Sequence, residues 1–362
     1  MTRRADSPHP LSCEVPRGAS WSAAPVVVRP CAADPQASFR PVLRRTFALL
    51  LGRHFWVFAL AMMAAGLWLP GDWTWLRPLI PVLLGGILFF TALKLRVGAV
   101  VGELRGGVRL RRLGGLAAVK LVALPLVAWG IARVLAPEWA LGVLLVTAMP
   151  AGLSATAVTD LYGGNVALAL VLTFLTSVLC PLTVPVLLHL LDPRASGIDG
   201  RLLAERALYI VVLLVVPFTL AQLVRHFAPG LVARHHHRWT SGAMLSSCLL
   251  IFVSIAGNRA AWAGLPISAL LVPLALNSLA MAVGIAVALG LRRGMAVGDT
   301  AAFAFCCAWM NNGLGVAFAD RFFHGQAGVI LGPVLMQLPI IAGVGFLGWW
   351  TRRDAARDEP SR

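Results

Sequence analysis

The chain has 362 residues, of which 59% are hydrophobic and only 13% charged, against about 25% charged in soluble domains. With a mean hydropathy of +0.80, this composition excludes an ordinary soluble domain and indicates a polytopic membrane protein. The formal net charge of +16 would suggest a nucleic-acid partner in a soluble chain, but the arginines fall in loops between apolar runs, where they orient a membrane protein.

Residues 1–45 are rich in proline and arginine and hold no sustained apolar run. No signal-peptide core follows Arg3-Arg4, so the segment reads as a disordered basic cytoplasmic tail, with a mis-assigned start or an organellar presequence as the alternatives. A transporter domain is expected over 46–350, followed by a short tail at 351–362. Ten spans are predicted near 47–69, 75–93, 114–135, 138–162, 165–191, 205–223, 240–258, 265–291, 299–322 and 326–350. Each supplies close to the roughly 20 apolar residues a bilayer requires, if tilted or broken helices are allowed.

Charge sets the orientation. With the amino terminus inside, 23 of the 31 Lys and Arg residues fall on the cytoplasmic side and 7 outside. The one remaining cation, Lys120, lies within the third span. Both termini are therefore expected in the cytoplasm of a cell whose inner membrane carries the protein, a bacterial one on this reading.

The fourth span carries the stretch around which the chain is organised, Met149-Pro150-Ala151-Gly152-Leu153-Ser154-Ala155-Thr156. A Pro and a Gly two residues apart remove an amide donor and a side chain, so the helix should open there. Backbone freed at membrane depth is tolerated only against protein or a watery cavity, which Ser154, Thr156 and Thr159 are expected to face. A proline-kinked helix packed through small residues is the plainer alternative. Gly163-Gly164-Asn165 then makes a tight turn before an apolar run that contains Thr173, Thr176, Ser177, Pro181 and Pro185.

The six cysteines show no CxxC pair or zinc spacing, so no disulfide framework, metal or cofactor is indicated. There is no HExxH, no GxSxG and no mid-span carboxylate pair, which argues against an enzyme.

The run from Pro150 to Leu187, with its Pro-x-Gly opening, its Gly-Asn-Val-Ala-Leu turn and its closing Pro-x-x-x-Pro, resembles the signature of the bile acid:sodium symporter family. A second stretch, Met310-Asn311-Asn312-Gly313-Leu314, resembles that family's Met-Gln-Asn-x-Gly-Leu motif in the ninth helix. The resemblance implies an all-α polytopic membrane fold of ten transmembrane helices in two inverted five-helix repeats, here 46–191 and 205–350. It implies a core domain beside a panel domain made of the first, second, sixth and seventh helices. The broken fourth and ninth helices would cross at mid-membrane.

The resemblance also locates two ion sites in the members that couple to sodium, and this chain departs from them. A Ser-Asn pair there is Ala155-Thr156 here, and a Ser and Thr four apart are Ala169 and Thr173. A Glu before the ninth-helix motif is Cys307, and a third-helix Gln five residues before Pro is Lys120. Thr173 is unchanged, while Thr156 and Asn311 keep oxygen ligands beside Met310. Sodium prefers oxygen, so losing a carboxylate, a hydroxyl and an amide weakens the case for sodium coupling.

Lys120 is the sharpest departure. An ammonium within a span costs about 2.5–3.5 kcal/mol on the mildest insertion scale, so it faces a cavity or partner, or snorkels to the interface. Read functionally, it is a built-in cation that replaces the coupling ion or shuttles a proton. Asn312 and Gln337 are candidate pocket residues with Ser154, Thr156 and Asn311; each can equally make a helix–helix hydrogen bond. Asp160 and Asp320 near helix ends are expected to be solvated, and His235-His236-His237 to be a solvated turn.

The reading is a secondary carrier of a small or amphipathic organic anion, working in lipid by alternating access and coupled to a proton, to sodium or to neither. Opposed half-helix amino termini would favour the anionic group. An efflux permease for metalloids or weak acids and a non-transporting membrane receptor are the alternatives.

Overall fold

The computed structural model describes residues 55–95, 107–152, 154–191, 200–261 and 264–358. The expected basic tail, the start of the first span, residues 96–106 of the loop before Arg112 and the last four residues lie outside the described residues, as do the His236 and His237 side chains. Among the described residues every regular element is helical, and the one β-type pairing is an isolated bridge between Ala151 and Met310.

In chain order the helices are α1 (Phe55–Trp68), α2 (Leu79–Ala92), α3 (Gly107–Ala118), α4 (Leu124–Leu135), α5 (Ala140–Ala148), α6 (Ser154–Leu161) and α7 (Val166–Leu191). They continue as α8 (Gly200–Phe227), α9 (Pro229–Arg234), α10 (His236–Gly257), α11 (Ile267–Gly290), α12 (Val297–Ala308), α13 (Asn312–Phe322), α14 (Ala327–Leu335) and α15 (Gln337–Asp358). Among the described residues six segments are long and apolar enough to cross a membrane by length and composition: 110–135, 166–191, 200–227, 238–257, 268–290 and 327–351.

Local sequence explains the irregularities. Between α3 and α4 a π turn, Val119–Ala123, carries Lys120, and Leu124 N donates to Val119 O across it. Pro125 sits in the first turn of α4, where its missing N–H and its ring disfavour a regular α-turn behind it; the widened turn absorbs both. The helix α5 ends at Ala148 because Met149 precedes Pro150 and is pushed into extended backbone, with φ −62° and ψ 146°. No proline ends α12. There the chain reopens at Asn311, whose side-chain oxygen accepts from Leu314 N at 3.2 Å and caps α13.

The helices pack in two groups. α1, α2, α8 and α10 lie against one another, and α8 and α10 are apolar over much of the face they expose. α4, α5, α7 and α11–α15 pack around the densest part of the core, where Phe303, Phe305, Phe318, Leu144 and Leu145 are fully buried. α5 and α14 approach at backbone contact. A Cβ on Gly142 would lie 2.2 Å from Gly328 O, and one on Gly332 would lie 2.6 Å from Gly142 O. Small residues at such a seam let dispersion act over the full length of two helices, which matters where lipid removes the hydrophobic drive.

At one end of the molecule the turn Gly163-Gly164-Asn165 is clasped to the start of α12. Asn165 N donates to Gly298 O and Asn165 Nδ2 to Asp299 Oδ1, both at 2.8 Å, while Arg112 pairs with Asp299 Oδ2 at 3.5 Å. Gly163 takes φ +72°, a conformation that side-chain-bearing residues rarely adopt.

Candidate functional site at the crossing of two broken helices

Two helix breaks meet in the interior. Gly152 N donates to Trp309 O at 2.8 Å and Asn311 N donates to Pro150 O at 2.9 Å, closing the antiparallel bridge between Ala151 and Met310. The approach requires glycine, because a Cβ at Gly152 would lie 2.8 Å from Trp309 Cδ1. Four half-helices therefore end here: α5 and α12 present carboxyl ends, while α6 and α13 present amino ends.

Every backbone group freed at the first break needs a partner at this depth. Ala151 N donates to Thr176 Oγ1 at 3.2 Å, and that hydroxyl donates on to Leu172 O at 2.7 Å. The carbonyls of Thr147 and Met149 accept from Lys120 Nζ at 2.8 and 3.0 Å. Lys120 is 1% exposed, so it does not snorkel; it reaches inward from the π turn and places a cation at the carboxyl end of α5. Cys307, Cys306 and Cys180 are buried in the same interior. Cys306 Sγ donates to Ala169 O at 3.7 Å, and Thr173 is also buried. Among the described residues no three His, Cys, Asp or Glu side chains gather as a metal site.

A cavity of about 120 Å³ opens beside the crossing, between the two groups of helices. Ser154, Met310, Asn311, Asn312 and Gln337 line it from the crossing side, and Thr91, Ser247 and Ser254 from α2 and α10. No Lys, Arg, Asp, Glu or His is among the lining residues. Asn312 is 3% exposed, and neither its Nδ2 nor its Oδ1 has a hydrogen-bond partner. A buried amide unpaired at both ends costs free energy, which makes Asn312 the least satisfied polar group on the cavity wall.

The expected site residues thus fall into two clusters. Ser154, Met310, Asn311, Asn312 and Gln337 meet at the cavity, with Asn311 held mainly by its capping bond. Lys120, Cys307 and Thr173 lie in the packed interior near the carboxyl end of α5. Three expectations differ from what is found. Thr156 is half-buried, two residues beyond Ser154, and does not line the cavity. Thr159 is buried and donates to Ala155 O at 2.8 Å, satisfied within its own helix. Asp320, expected to be solvated, is paired with Arg77 at 2.9 Å.

Sequence reasoning missed Thr176 as the acceptor for the break, and Thr91 and Ser254 as cavity residues. Ser247 and Ser254 are seven apart, two turns along one face of an apolar helix, and that spacing was the signal available. Thr176 carried none, because a threonine bonded to its own helix looks the same in sequence.

The profile of the Sodium Bile acid symporter family matches residues 82–264, which include Lys120, the first break and Thr176. The chain is 26% identical over 219 residues to a protein of Bacillus subtilis (strain 168) described as the uncharacterized sodium-dependent transporter YocS. That alignment spans 59% of this chain and 66% of the relative, just under two thirds of its length. With half of its length matched by that profile, the chain belongs to the sodium bile acid symporter family.

Proposed function

We propose that the chain is a secondary active carrier of a small or amphipathic organic anion, bound beside the crossing of the two broken helices. The amino ends of α6 and α13 supply positive dipole ends, which suit a carboxylate. Asn312 supplies an unpaired donor and acceptor at the same place, and Ser154, Gln337 and Ser247 supply further uncharged polar contacts. In this reading ten spans, arranged as two inverted repeats, place both termini in the cytoplasm, and the α1–α2–α8–α10 group rocks against the rest to alternate access. The Arg77 end of the molecule is then the outer end, and the Arg112 end the inner one.

Coupling in this chain is not strictly to sodium. The observation that carries this is the pair of hydrogen bonds from Lys120 Nζ to the carbonyls of Thr147 and Met149. A resident ammonium neutralises the carboxyl end of α5, as a travelling cation would. Cys307, Ala155 and Ala169 stand where the sodium-coupled pattern has oxygen ligands. The Bacillus relative is described as sodium-dependent, so the two proteins should differ in this respect. Flux of labelled organic anions into proteoliposomes, with sodium replaced by potassium or choline, tests the proposal. Uptake should persist without sodium, and a strict sodium requirement would refute it.

A further inference from the structure

Away from the crossing, the two groups of helices are tied together by charge at the Arg77 end. Arg77, which enters α2, donates from Nε to Asp320 Oδ1 at 2.9 Å and from Nη2 to Asp320 O at 3.4 Å. Its Nη1 meets His324 Nε2 at 3.1 Å, so one guanidinium grips the whole carboxyl end of α13. One residue on, the polarity reverses: Arg321 Nη2 pairs with Glu205 Oε1 of α8 at 3.3 Å. Around these pairs, Tyr209 of α8 donates its hydroxyl to Ala317 O at 3.3 Å and meets Phe322 edge-on. The guanidinium of Arg206 lies 5.7 and 5.2 Å from the ring centroids of Phe322 and Phe323.

The Arg112 end is organised differently. Its ion pair, Arg112 to Asp299, joins α3 to α12, and Asn165 joins the start of α7 to the same carboxylate. None of these residues belongs to the α1–α2–α8–α10 group. The ion pairs that bridge the two groups among the described residues are therefore both at the Arg77 end, where they surround a vestibule of about 790 Å³. The vestibule and the cavity at the crossing share no lining residue, and α13 runs from one to the other, with Asn312 at the cavity and Asp320 and Arg321 at the vestibule.

We propose that Arg77–Asp320 and Glu205–Arg321 are a two-pole latch that closes the outer end of the substrate cavity and parts once in each transport cycle. The latch rests on the alternating-access reading above. Its construction suits a reversible element. The Arg77–Asp320 side chains are 21% and 15% exposed and the Arg321–Glu205 side chains 60% and 51%. Part-exposed pairs hold weakly and exchange readily with water when separated. Opposite polarity at adjacent residues fixes register, since a slip of one position would bring like charges together. A core buried by apolar packing alone would give no such reversible, directional tie.

The test reads the opening directly and needs no known substrate. Ser254 faces the cavity near the outer end of α10 and is 1% exposed. In a Ser254→Cys chain, the rate of modification by a membrane-impermeant methanethiosulfonate is measured in intact cells and in inside-out vesicles, against the unmodified chain as background. Arg77→Gln or Asp320→Asn should raise the rate in intact cells roughly two- to five-fold, the population change expected on losing a part-exposed ion pair. The exchanged pair Arg77→Asp with Asp320→Arg should bring the rate back toward that of the parent. An unchanged rate, a rise confined to inside-out vesicles, or a rise that the exchanged pair leaves in place would each overturn the latch. If no organic anion is carried by the parent chain while the labelling behaves as expected, the carrier reading fails and the latch stands as an opening device.

Discussion

The ammonium of Lys120 lies 3.0 Å from the carbonyl oxygen of Met149, one residue before the proline that ends α5. Its second bond, to Thr147 O at 2.8 Å, makes the lysine the cap of that half-helix. Replacement by the similarly long, uncharged Met would leave two buried carbonyls without donors. Each such group costs about 1–3 kcal/mol, partly offset by relief from burying a charge, so Lys120→Met should lose roughly 2–4 kcal/mol. Thermal unfolding of the purified protein checks this, and flux should fall with it. An unchanged midpoint would mean that the bonds contribute nothing to the fold.

Much of the crossing was legible in the sequence. Pro150 and Gly152 announce a break through rules that act on the local chain alone, and the bridge falls where they put it. The second break follows only from the resemblance carried by Met310-Asn311-Asn312-Gly313-Leu314, and its bounds do not: the helix stops at Ala308 and resumes at Asn312. Asparagine caps and helix-interior asparagines are the same letter, and only tertiary contact separates them. The fate of Lys120 was open for the same reason. Its place within a span was readable, but snorkelling and inward reach differ by the π turn, which no periodicity reveals. The latch was invisible, because Arg77 and Asp320 are 243 residues apart and each alone resembles a solvated loop charge.

The seam between α5 and α14 yields a paired prediction. Gly332→Ala would drive a Cβ to 2.6 Å from Gly142 O, backbone that cannot move without separating the two helices. The expected cost is about 1–3 kcal/mol, as for other overpacked cores. Gly114 is also helical, but a Cβ there meets nothing within 4 Å. Gly114→Ala should therefore gain about 0.5–1 kcal/mol through reduced unfolded-state entropy. Opposite shifts in unfolding midpoint check the pair, and shifts of the same sign would show that the seam is looser than the geometry implies.

Orientation gives a third prediction. The asymmetry of 23 cations against 7 predicts that both termini and the Arg112 end lie in the cytoplasm and the Arg77 pair outside. Reporter fusions after residues 70, 105, 198 and 235 should alternate outside, inside, outside, inside. A periplasm-positive fusion at 105 would sink the ten-span arrangement and, with it, the outward placement of the latch.

Asn312 separates function from stability most sharply, because its amide is buried at the cavity wall without a partner at either end. A group placed for packing would be satisfied, and an orphan amide is tolerated only if something gains from it. Leucine has nearly the same shape and no polar atoms to desolvate. Asn312→Leu should therefore stabilise the empty protein by about 1–2 kcal/mol, the penalty of one unpaired buried group. The same change should cut anion flux by at least about ten-fold, since a lost hydrogen bond to a charged ligand is worth roughly 1.5–3 kcal/mol. Gln337→Leu, half-buried at the same cavity, should show a smaller gain in stability. The two readouts are the unfolding midpoint without ligand and initial uptake in proteoliposomes. If Asn312→Leu lowered the midpoint, the amide would be serving the fold, and the cavity would lose its best claim to be the binding site. If the midpoint rose while flux held, the orphan amide would be incidental and recognition would rest on the helix ends alone.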